Sequence, residues 1–219
     1  MIWLSEKIEF PPYECTTKEG IIALGGDLSL ERLIHAYSNG IFPWFSEDDP
    51  IVWYCPYQRM VLFLDEIKIS KSMRKVIRKN EFIITENKAF KEVIRYCKTI
   101  SRGDGLGTWI TDDMEQAYIN LHKNGIAKSI EVWRFLDSAR NDNNPKKELV
   151  GGLYGLEINE IFCGESMFSK VSNASKLAFV YLAQQKNYRL IDCQVYNHHL
   201  ASLGAKEIDR DLFLEILKG

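Results

Sequence analysis

Apolar residues recur along the first half of the chain at the spacing of helices and short strands, with turn residues between them. Ser29 is a suitable N-cap for a helix whose apolar face includes Leu33 and Tyr37, and Gly40 is suited to end it. The pattern therefore predicts a helix over residues 30–39. The other elements predicted before residue 125 are strands at 61–64 and 82–85 and helices at 71–79, 89–98 and 112–124.

In the second half, three apolar segments follow one another and predict consecutive strands. Alternation in the first places Ile130 inward and Glu131 outward, and the polar segment 137–147 after it predicts a flexible hairpin tip. A helix that Asn173 is suited to cap comes next, and a strand, a short helix, a strand and a terminal helix complete the chain. The five predicted strands are residues 128–135, 149–158, 161–168, 190–195 and 205–208.

This order of elements resembles the acyltransferase core of the N-acetyltransferase superfamily, which holds an activated acyl donor between two central strands. The resemblance implies an α+β fold, with a small aromatic-rich N-terminal domain at 1–64 and an N-acetyltransferase-like mixed-sheet domain at 65–219. Coenzyme A is not the expected donor. The segment that matches its pyrophosphate-binding turn, residues 169–175, contains no glycine.

The composition changes the picture mainly by exclusion. Hydrophobic residues make up 46% of the 219 residues and charged residues 26%, which excludes a disordered chain. No apolar run approaches the roughly 18 residues of a membrane-spanning helix, and the first residues do not have the pattern of a signal peptide. The five cysteines form no CxxC pair or Cys/His cluster. We therefore expect a cytoplasmic protein with reduced thiols, no metal site and no disulfide framework.

The charge is unevenly distributed. Residues 1–67 carry a net charge of −7 and residues 68–102 a net charge of +8, although the whole chain is at −2. The densest basic segment is the predicted helix after Ser70, which leaves five cations facing water. A phosphate backbone is one partner for such a ridge, and an ordinary solvated helix face is the alternative. The five cations are Lys71, Arg74, Lys75, Arg78 and Lys79.

Six motifs in order resemble the leucyl/phenylalanyl-tRNA–protein transferases of bacteria over residues 10–215. They are Leu24-Gly-Gly-Asp-Leu28, Gly40-Ile-Phe-Pro-Trp-Phe45, Gly107-Thr-Trp-Ile-Thr111, Ser129-Ile-Glu-Val-Trp133, Phe162-Cys-Gly-Glu-Ser-Met-Phe-Ser169 and Leu190-Ile-Asp-Cys-Gln-Val195. The resemblance implies transfer of Leu or Phe, and Met less well, from aminoacyl-tRNA to proteins that begin with Arg or Lys, which marks them for degradation. It also implies that the five cations grip the tRNA acceptor stem, that no cofactor is needed and that the protein is a monomer.

The resemblance further implies the site residues. Asp192 and Gln194 are expected on one face of a strand, where the aspartate polarises the glutamine and the glutamine carbonyl accepts a proton from the attacking amine. Glu165 matches a carboxylate that grips an amino group. Trp53 and Trp109 match positions that hold the terminal adenosine. The residues expected to bind the donor side chain or the rest of the substrate are Leu153, Met167, Ser169, Phe179, Leu182 and Ile191.

Alternatives remain open at this point. The aromatic residues of the first sixty positions also suit a small packed core, and each polar site residue also suits a structural hydrogen bond. Two rival functions are an aminoacyl-tRNA-dependent transferase for a cell-wall peptide precursor and a non-catalytic tRNA-binding module. The sequence leaves open the preference between Leu and Phe, the recognition of the acceptor's Arg or Lys and the role of segment 137–147.

Overall fold

The computed structural model describes residues 1–100, 109–136, 146–185 and 188–219. The glycine loop at 103–107 and residues 137–145 of the polar hairpin tip lie outside these ranges. The strands are β1 (Trp3–Leu4), β2 (Ile21–Gly25), β3 (Phe42–Pro43), β4 (Val52–Tyr54), β5 (Gln58–Phe63), β6 (Phe82–Glu86), β7 (Ala127–Phe135), β8 (Lys147–Ile158), β9 (Ile161–Ser169), β10 (Leu190–Gln194) and β11 (Lys206–Asp209). The α-helices are α1 (Leu30–Ser38), α2 (Lys71–Lys79), α3 (Phe90–Thr99), α4 (Asp112–Lys123), α5 (Ala174–Gln184), α6 (His198–Ser202) and α7 (Arg210–Lys218).

The described strands form two sheets. A seven-stranded sheet has the order β11-β5-β10-β9-β8-β7-β6, and a four-stranded sheet has the order β1-β2-β4-β3. In the large sheet β9 and β10 run parallel while the other neighbours are antiparallel. The predicted mixed sheet and the order of elements after residue 127 are therefore confirmed.

Strand β5 does not lie where the predicted division of the chain places it. The prediction put residues 58–63 in the N-terminal domain, whereas β5 pairs with β10 on one side and β11 on the other. The N-terminal segment also shares a core with the large sheet, because Tyr37 and Trp53 belong to the same buried cluster as Tyr154 and Phe213. The boundary at residue 64 would therefore remove an interior strand from its sheet.

The helix caps explain where three helices begin. The hydroxyls of Ser29 and Ser70 accept backbone N–H groups at the start of α1 and α2, as predicted. The expectation for Asn173 is wrong, because Asn173 has a φ of 71° and makes no side-chain cap bond. The Ser169 hydroxyl caps α5 instead, accepting from the backbone N–H of Ser175 at 3.2 Å.

Glu131 also departs from its prediction. The alternating pattern placed it outward, but its side chain is fully buried in β7. Its carboxylate accepts from the Ser129 hydroxyl at 2.6 Å, the Thr85 hydroxyl at 2.5 Å and the backbone N–H groups of Lys88 and Ala89. Since α3 has no side-chain cap of its own, this carboxylate satisfies N–H groups at the beginning of that helix.

Within the described ranges, no helix is both long and apolar enough to cross a membrane.

Candidate active site

Two β-bulges create the opening in which the site lies. The parallel pairing of β9 and β10 extends only as far as Cys163 and Asp192. Just beyond that point β9 carries one extra residue relative to β8, which is Glu165, and β10 carries one extra residue relative to β5, which is Cys193. A bulge bends its strand and redirects the side chains around it. The two strands therefore separate where the polar site residues begin.

A cavity of about 640 Å³ occupies this opening. It is lined by all but one of the residues that the sequence assigned to catalysis or substrate binding, and that exception is Trp53. The expected residues that line it are Trp109, Leu153, Glu165, Met167, Ser169, Phe179, Leu182, Ile191, Asp192 and Gln194. The structure thus brings together residues from five separate segments of the chain, and their individual roles stay predictions.

Asp192 is held by an arginine that the sequence analysis did not identify. The guanidinium of Arg59 donates to both carboxylate oxygens of Asp192, at 2.8 and 2.6 Å, and both side chains are buried. Arg59 also donates to the carbonyl of Gly40 at 3.1 Å and lies between the rings of Phe42 and Phe213, each 4.6 Å away. This bidentate pair neutralises the buried charge and joins β5 and β10 to the N-terminal segment and α7.

The expected contact between Asp192 and the Gln194 side chain is wrong. The bulge at Cys193 breaks the strict alternation of the strand, and Gln194 takes a left-handed φ of 64°. Asp192 therefore accepts the backbone N–H of Gln194 at 2.8 Å. The side-chain amide of Gln194 donates instead to Oε1 of Glu165 at 2.7 Å. Glu165, rather than Asp192, orients the amide.

Glu165 lies at the centre of a buried polar cluster. The Tyr37 hydroxyl is 2.7 Å from Oε1 and the Tyr118 hydroxyl is 2.9 Å from Oε2, within hydrogen-bonding distance. The two hydroxyl oxygens lie 2.5 Å from each other. Burial raises the pKa of Glu165 to about 7, although the hydrogen bonds from both tyrosines oppose the shift. Burial and the neighbouring Glu165 raise the pKa values of Tyr37 and Tyr118 well above their usual value.

Trp53 cannot offer a face for stacking. It is fully buried, its indole N–H donates to the carbonyl of Gly25 at 2.9 Å, and Phe10 packs edge-on against its ring. Trp44 is the neighbouring tryptophan that lines the cavity, and 42% of its surface is exposed. It follows directly after β3, and its ring lies 5.6 Å from the ring of Tyr54 in β4. Of the two expected tryptophans, Trp109 alone lines the cavity.

The basic helix α2 has the exposure that was predicted for its cations. All five are exposed. Of the five, Lys79 alone forms a salt bridge to another described residue, which is Glu81 at 3.6 Å. Met73 packs into a core cluster that also contains Phe179 and Ile191 of the cavity wall. The helix is therefore attached to the wall of the site.

In the described part of the chain, no group of three His, Cys, Asp or Glu side chains is arranged to hold a metal ion.

The sequence analysis missed three residues of this site, and two of them left a usable signal. A buried Asp192 requires a cation, and Arg59 is the charged residue beside the apolar run of β5. Tyr37 belongs to the apolar face of α1, where a hydroxyl needs a partner when it is buried. No apolar face was assigned to the helix at 112–124, so Tyr118 was not singled out, although its side chain is buried on α4.

Comparison with protein-family models matches residues 61–218 to "Leucyl/phenylalanyl-tRNA protein transferase" and residues 26–56 to the N-terminal domain of the same family. The chain belongs to this family. A leucyl/phenylalanyl-tRNA–protein transferase of Flavobacterium johnsoniae is 55% identical over 221 residues, covering 100% of this chain and 99% of the relative. The transferase of Flavobacterium psychrophilum is 52% identical, with full coverage of both chains.

The family membership agrees with the motifs that first indicated it. The large family model begins at residue 61, inside β5. Among solved structures, FemX is similar at 12% identity, with 86% of this chain and 71% of that chain covered and a TM-score of 0.48. L-PGS from Bacillus licheniformis is similar at 14% identity, with 81% and 56% covered and a TM-score of 0.41.

Proposed function

We propose that this protein transfers leucine or phenylalanine, and methionine less well, from aminoacyl-tRNA to the α-amino group of proteins that begin with Arg or Lys. The observation that supports this most directly is the cavity itself. In a chain of this family, apolar walls suited to the donor side chain lie beside a buried set of polar groups, Glu165, Asp192 and Gln194. The new N-terminal residue would mark the acceptor protein for degradation.

The reaction needs little acid–base power. The acceptor nitrogen forms an amide bond to the donor carbonyl carbon, and the ester bond to the tRNA ribose oxygen breaks. A proton passes from the amine to the departing oxygen. An α-amino group has a pKa of about 8, so a useful fraction is already neutral at pH 7. Positioning therefore supplies much of the rate, with the Gln194 carbonyl as the group that receives the amine N–H.

Mixing the purified protein with charged tRNA and a peptide tests this function. We expect Leu or Phe to appear on peptides that begin with Arg or Lys and not on matched peptides that begin with Ala. Transfer to a cell-wall peptide precursor would favour the alternative enzyme class. Binding of tRNA without any transfer would indicate a binding module.

The donor side chain is proposed to lie among Leu153, Met167, Phe179, Leu182 and Ile191. Replacing Met167 with alanine should enlarge this pocket and lower kcat/KM for Leu more than for Phe. The change in the ratio of the two kcat/KM values should correspond to about 1–3 kcal/mol. The measurement is kcat/KM with each charged tRNA in turn. An unchanged ratio in the folded variant would remove Met167 from the pocket.

Trp44 and Trp109 are proposed to hold the terminal adenosine, with Trp44 in the place first given to Trp53. Trp44→Ala should raise the KM for aminoacyl-tRNA about 10-fold, because a stacked base is worth about 1–3 kcal/mol. The matched control is Trp3→Ala, since Trp3 is 65% exposed and does not line the cavity. Equal KM values for the two variants would argue against stacking on Trp44.

The cations of α2 are proposed to contact the phosphates of the acceptor stem. The double variant Arg74→Ala, Arg78→Ala should raise the KM for aminoacyl-tRNA and reduce its salt dependence by about 2 units of log–log slope. Transfer from a short aminoacyl-adenosine should hardly change. The variant Arg189→Ala, Lys218→Ala removes the same charge from the C-terminal region and serves as control. If the double variant also loses transfer from the short aminoacyl-adenosine, the cations of α2 have a structural role and do not act in tRNA binding.

Further features complete the proposal. The chain order of β7 to β11, with α5 after β9 and before β10, supports an N-acetyltransferase-like core, and the four-stranded sheet of β1 to β4 supports a small N-terminal domain that ends before β5. We propose that aminoacyl-tRNA is a co-substrate, that no cofactor or metal takes part, and that the protein acts as a monomer in the cytoplasm.

A further inference from the structure

Tyr37, Tyr118 and Glu165 make three oxygen–oxygen contacts with one another, but the two tyrosine hydroxyls supply only two protons. Each hydrogen bond needs one proton, and each tyrosine hydroxyl supplies one. If both hydroxyls donate to an ionised Glu165, no proton remains for the 2.5 Å contact between the two hydroxyl oxygens. Two oxygen lone pairs would then face each other in a buried site, which is unfavourable.

One additional proton on Glu165 satisfies the whole cluster. Its Oε2–H donates to Tyr118, the Tyr118 hydroxyl donates to Tyr37, and the Tyr37 hydroxyl donates to Oε1 of Glu165. Oε1 then remains a carbonyl-like acceptor, and it also accepts the Gln194 amide at 2.7 Å. Every contact in this ring carries one proton, and no buried donor or acceptor in it is left without a partner.

We propose that Tyr37 and Tyr118 are positioning residues of the reaction, which keep Glu165 protonated and fix the Gln194 amide through it. With its N–H₂ group held by Glu165, the amide turns its carbonyl oxygen toward the cavity that Gln194 lines. A neutral Glu165 does not stabilise the ammonium form of the acceptor, which cannot attack an ester. This inference rests on the proposed function for the identity of the amine.

The surroundings of Glu165 favour the neutral carboxyl. Its pKa is raised to about 7, mainly by burial and in part by the negative charge of Asp192, while the tyrosine hydrogen bonds and Arg59 act in the opposite direction. The Arg59 charge is already engaged by both oxygens of Asp192. The titratable and charged groups that act on Glu165 or belong to its cluster are Tyr37 from α1, Tyr118 from α4, Tyr154 from β8, Cys163 from β9, Asp192 from β10 and Arg59 from β5.

Infrared difference spectroscopy of the full chain tests the protonation state without any substrate. At about pH 6 the wild type should show the carbonyl stretch of a neutral carboxylic acid, and Glu165→Gln should lack it. The band should move to higher frequency in Tyr37→Phe, because the carbonyl oxygen loses a hydrogen bond. It should stay unchanged in Tyr13→Phe, which loses a hydroxyl bond to Asn39 outside the site. A Glu165 that is ionised at this pH would overturn the proposal.

Kinetics test the positioning role separately. Tyr37→Phe and Tyr118→Phe should lower kcat about 10- to 100-fold with little change in the KM for Phe-tRNA, whereas Tyr13→Phe should keep the wild-type kcat. Glu165→Gln should lose less kcat than Glu165→Ala, because its amide can donate to Tyr118 and its carbonyl can accept from Tyr37. Glu165→Ala should lose activity. Wild-type kcat in both phenylalanine variants, or equal loss in Glu165→Gln and Glu165→Ala, would overturn it.

The spectroscopic and kinetic results separate this inference from the proposed function. Should the wild type transfer neither Leu nor Phe, the proposed function fails while the infrared band still reports on Glu165. Should transfer occur with an ionised Glu165, the function stands and the proton ring is wrong.

Discussion

Asp192→Asn is expected to lower the free energy of unfolding by about 3–5 kcal/mol, because it leaves a buried arginine without its counter-ion. Arg59 is only 1% exposed and donates two hydrogen bonds to Asp192. Urea unfolding followed by circular dichroism measures the loss. The matched control is Asp209→Asn, which changes an exposed carboxylate in β11, at the edge of the same sheet. It should lower the free energy of unfolding by about 1 kcal/mol or less.

A double variant shows whether the loss comes from the unpaired charge. Replacing both partners, as in Arg59→Met with Asp192→Leu, should destabilise the protein less than Asp192→Asn alone. If Asp192→Asn is instead as stable as the wild type and loses only kcat, Asp192 acts in the chemistry and not chiefly in holding β5 to β10.

Glu165 should make the protein less stable as the pH rises. Its pKa is about 7 in the folded protein, against an ordinary value of 4.5. A folded-state pKa above the unfolded value gives stability that is complete below about pH 4.5 and is lost as the pH rises through about 7. The difference corresponds to about 3 kcal/mol, since one pKa unit is about 1.4 kcal/mol. Glu165→Gln removes this dependence.

The measurement is urea unfolding of the wild type and Glu165→Gln at several values between about pH 5 and 8. Other groups titrate in both proteins, so the difference between the two stability curves isolates Glu165. We expect the wild type to lose stability relative to Glu165→Gln as the pH rises. Parallel curves would mean that the pKa of Glu165 is not raised in the folded state.

The local sequence predicted the elements well because the signals that begin and end them are local. Ser29 and Ser70 cap α1 and α2 through their own side chains, and the apolar pattern predicted β7, β8, β9 and β10 to within two residues. The motifs likewise selected the residues that line the cavity. Met167 and Ile191 lie within those motifs, whereas Leu153, Phe179 and Leu182 were assigned by the family resemblance alone.

Local pattern failed where a bulge or a distant partner decides the environment of a side chain. Period-two alternation placed Asp192 and Gln194 together, but the extra residue Cys193 gives them different partners. The same rule placed Glu131 in solvent. Its side chain is buried instead, because its carboxylate accepts hydrogen bonds from backbone N–H groups at the beginning of α3. Trp53 was given a stacking role, but the sheet around it leaves no exposed face.

The sequence by itself determined the family, the mixed sheet and the set of residues around the cavity. Only the tertiary structure decided how the charges are arranged within it. Tyr37 and Arg59 lie more than 100 residues from their carboxylate partners Glu165 and Asp192. Buried charges and hydroxyls require hydrogen-bonding partners, but the sequence does not specify which distant side chain supplies them. That choice follows from how α1, α4 and β5 pack around the two bulges.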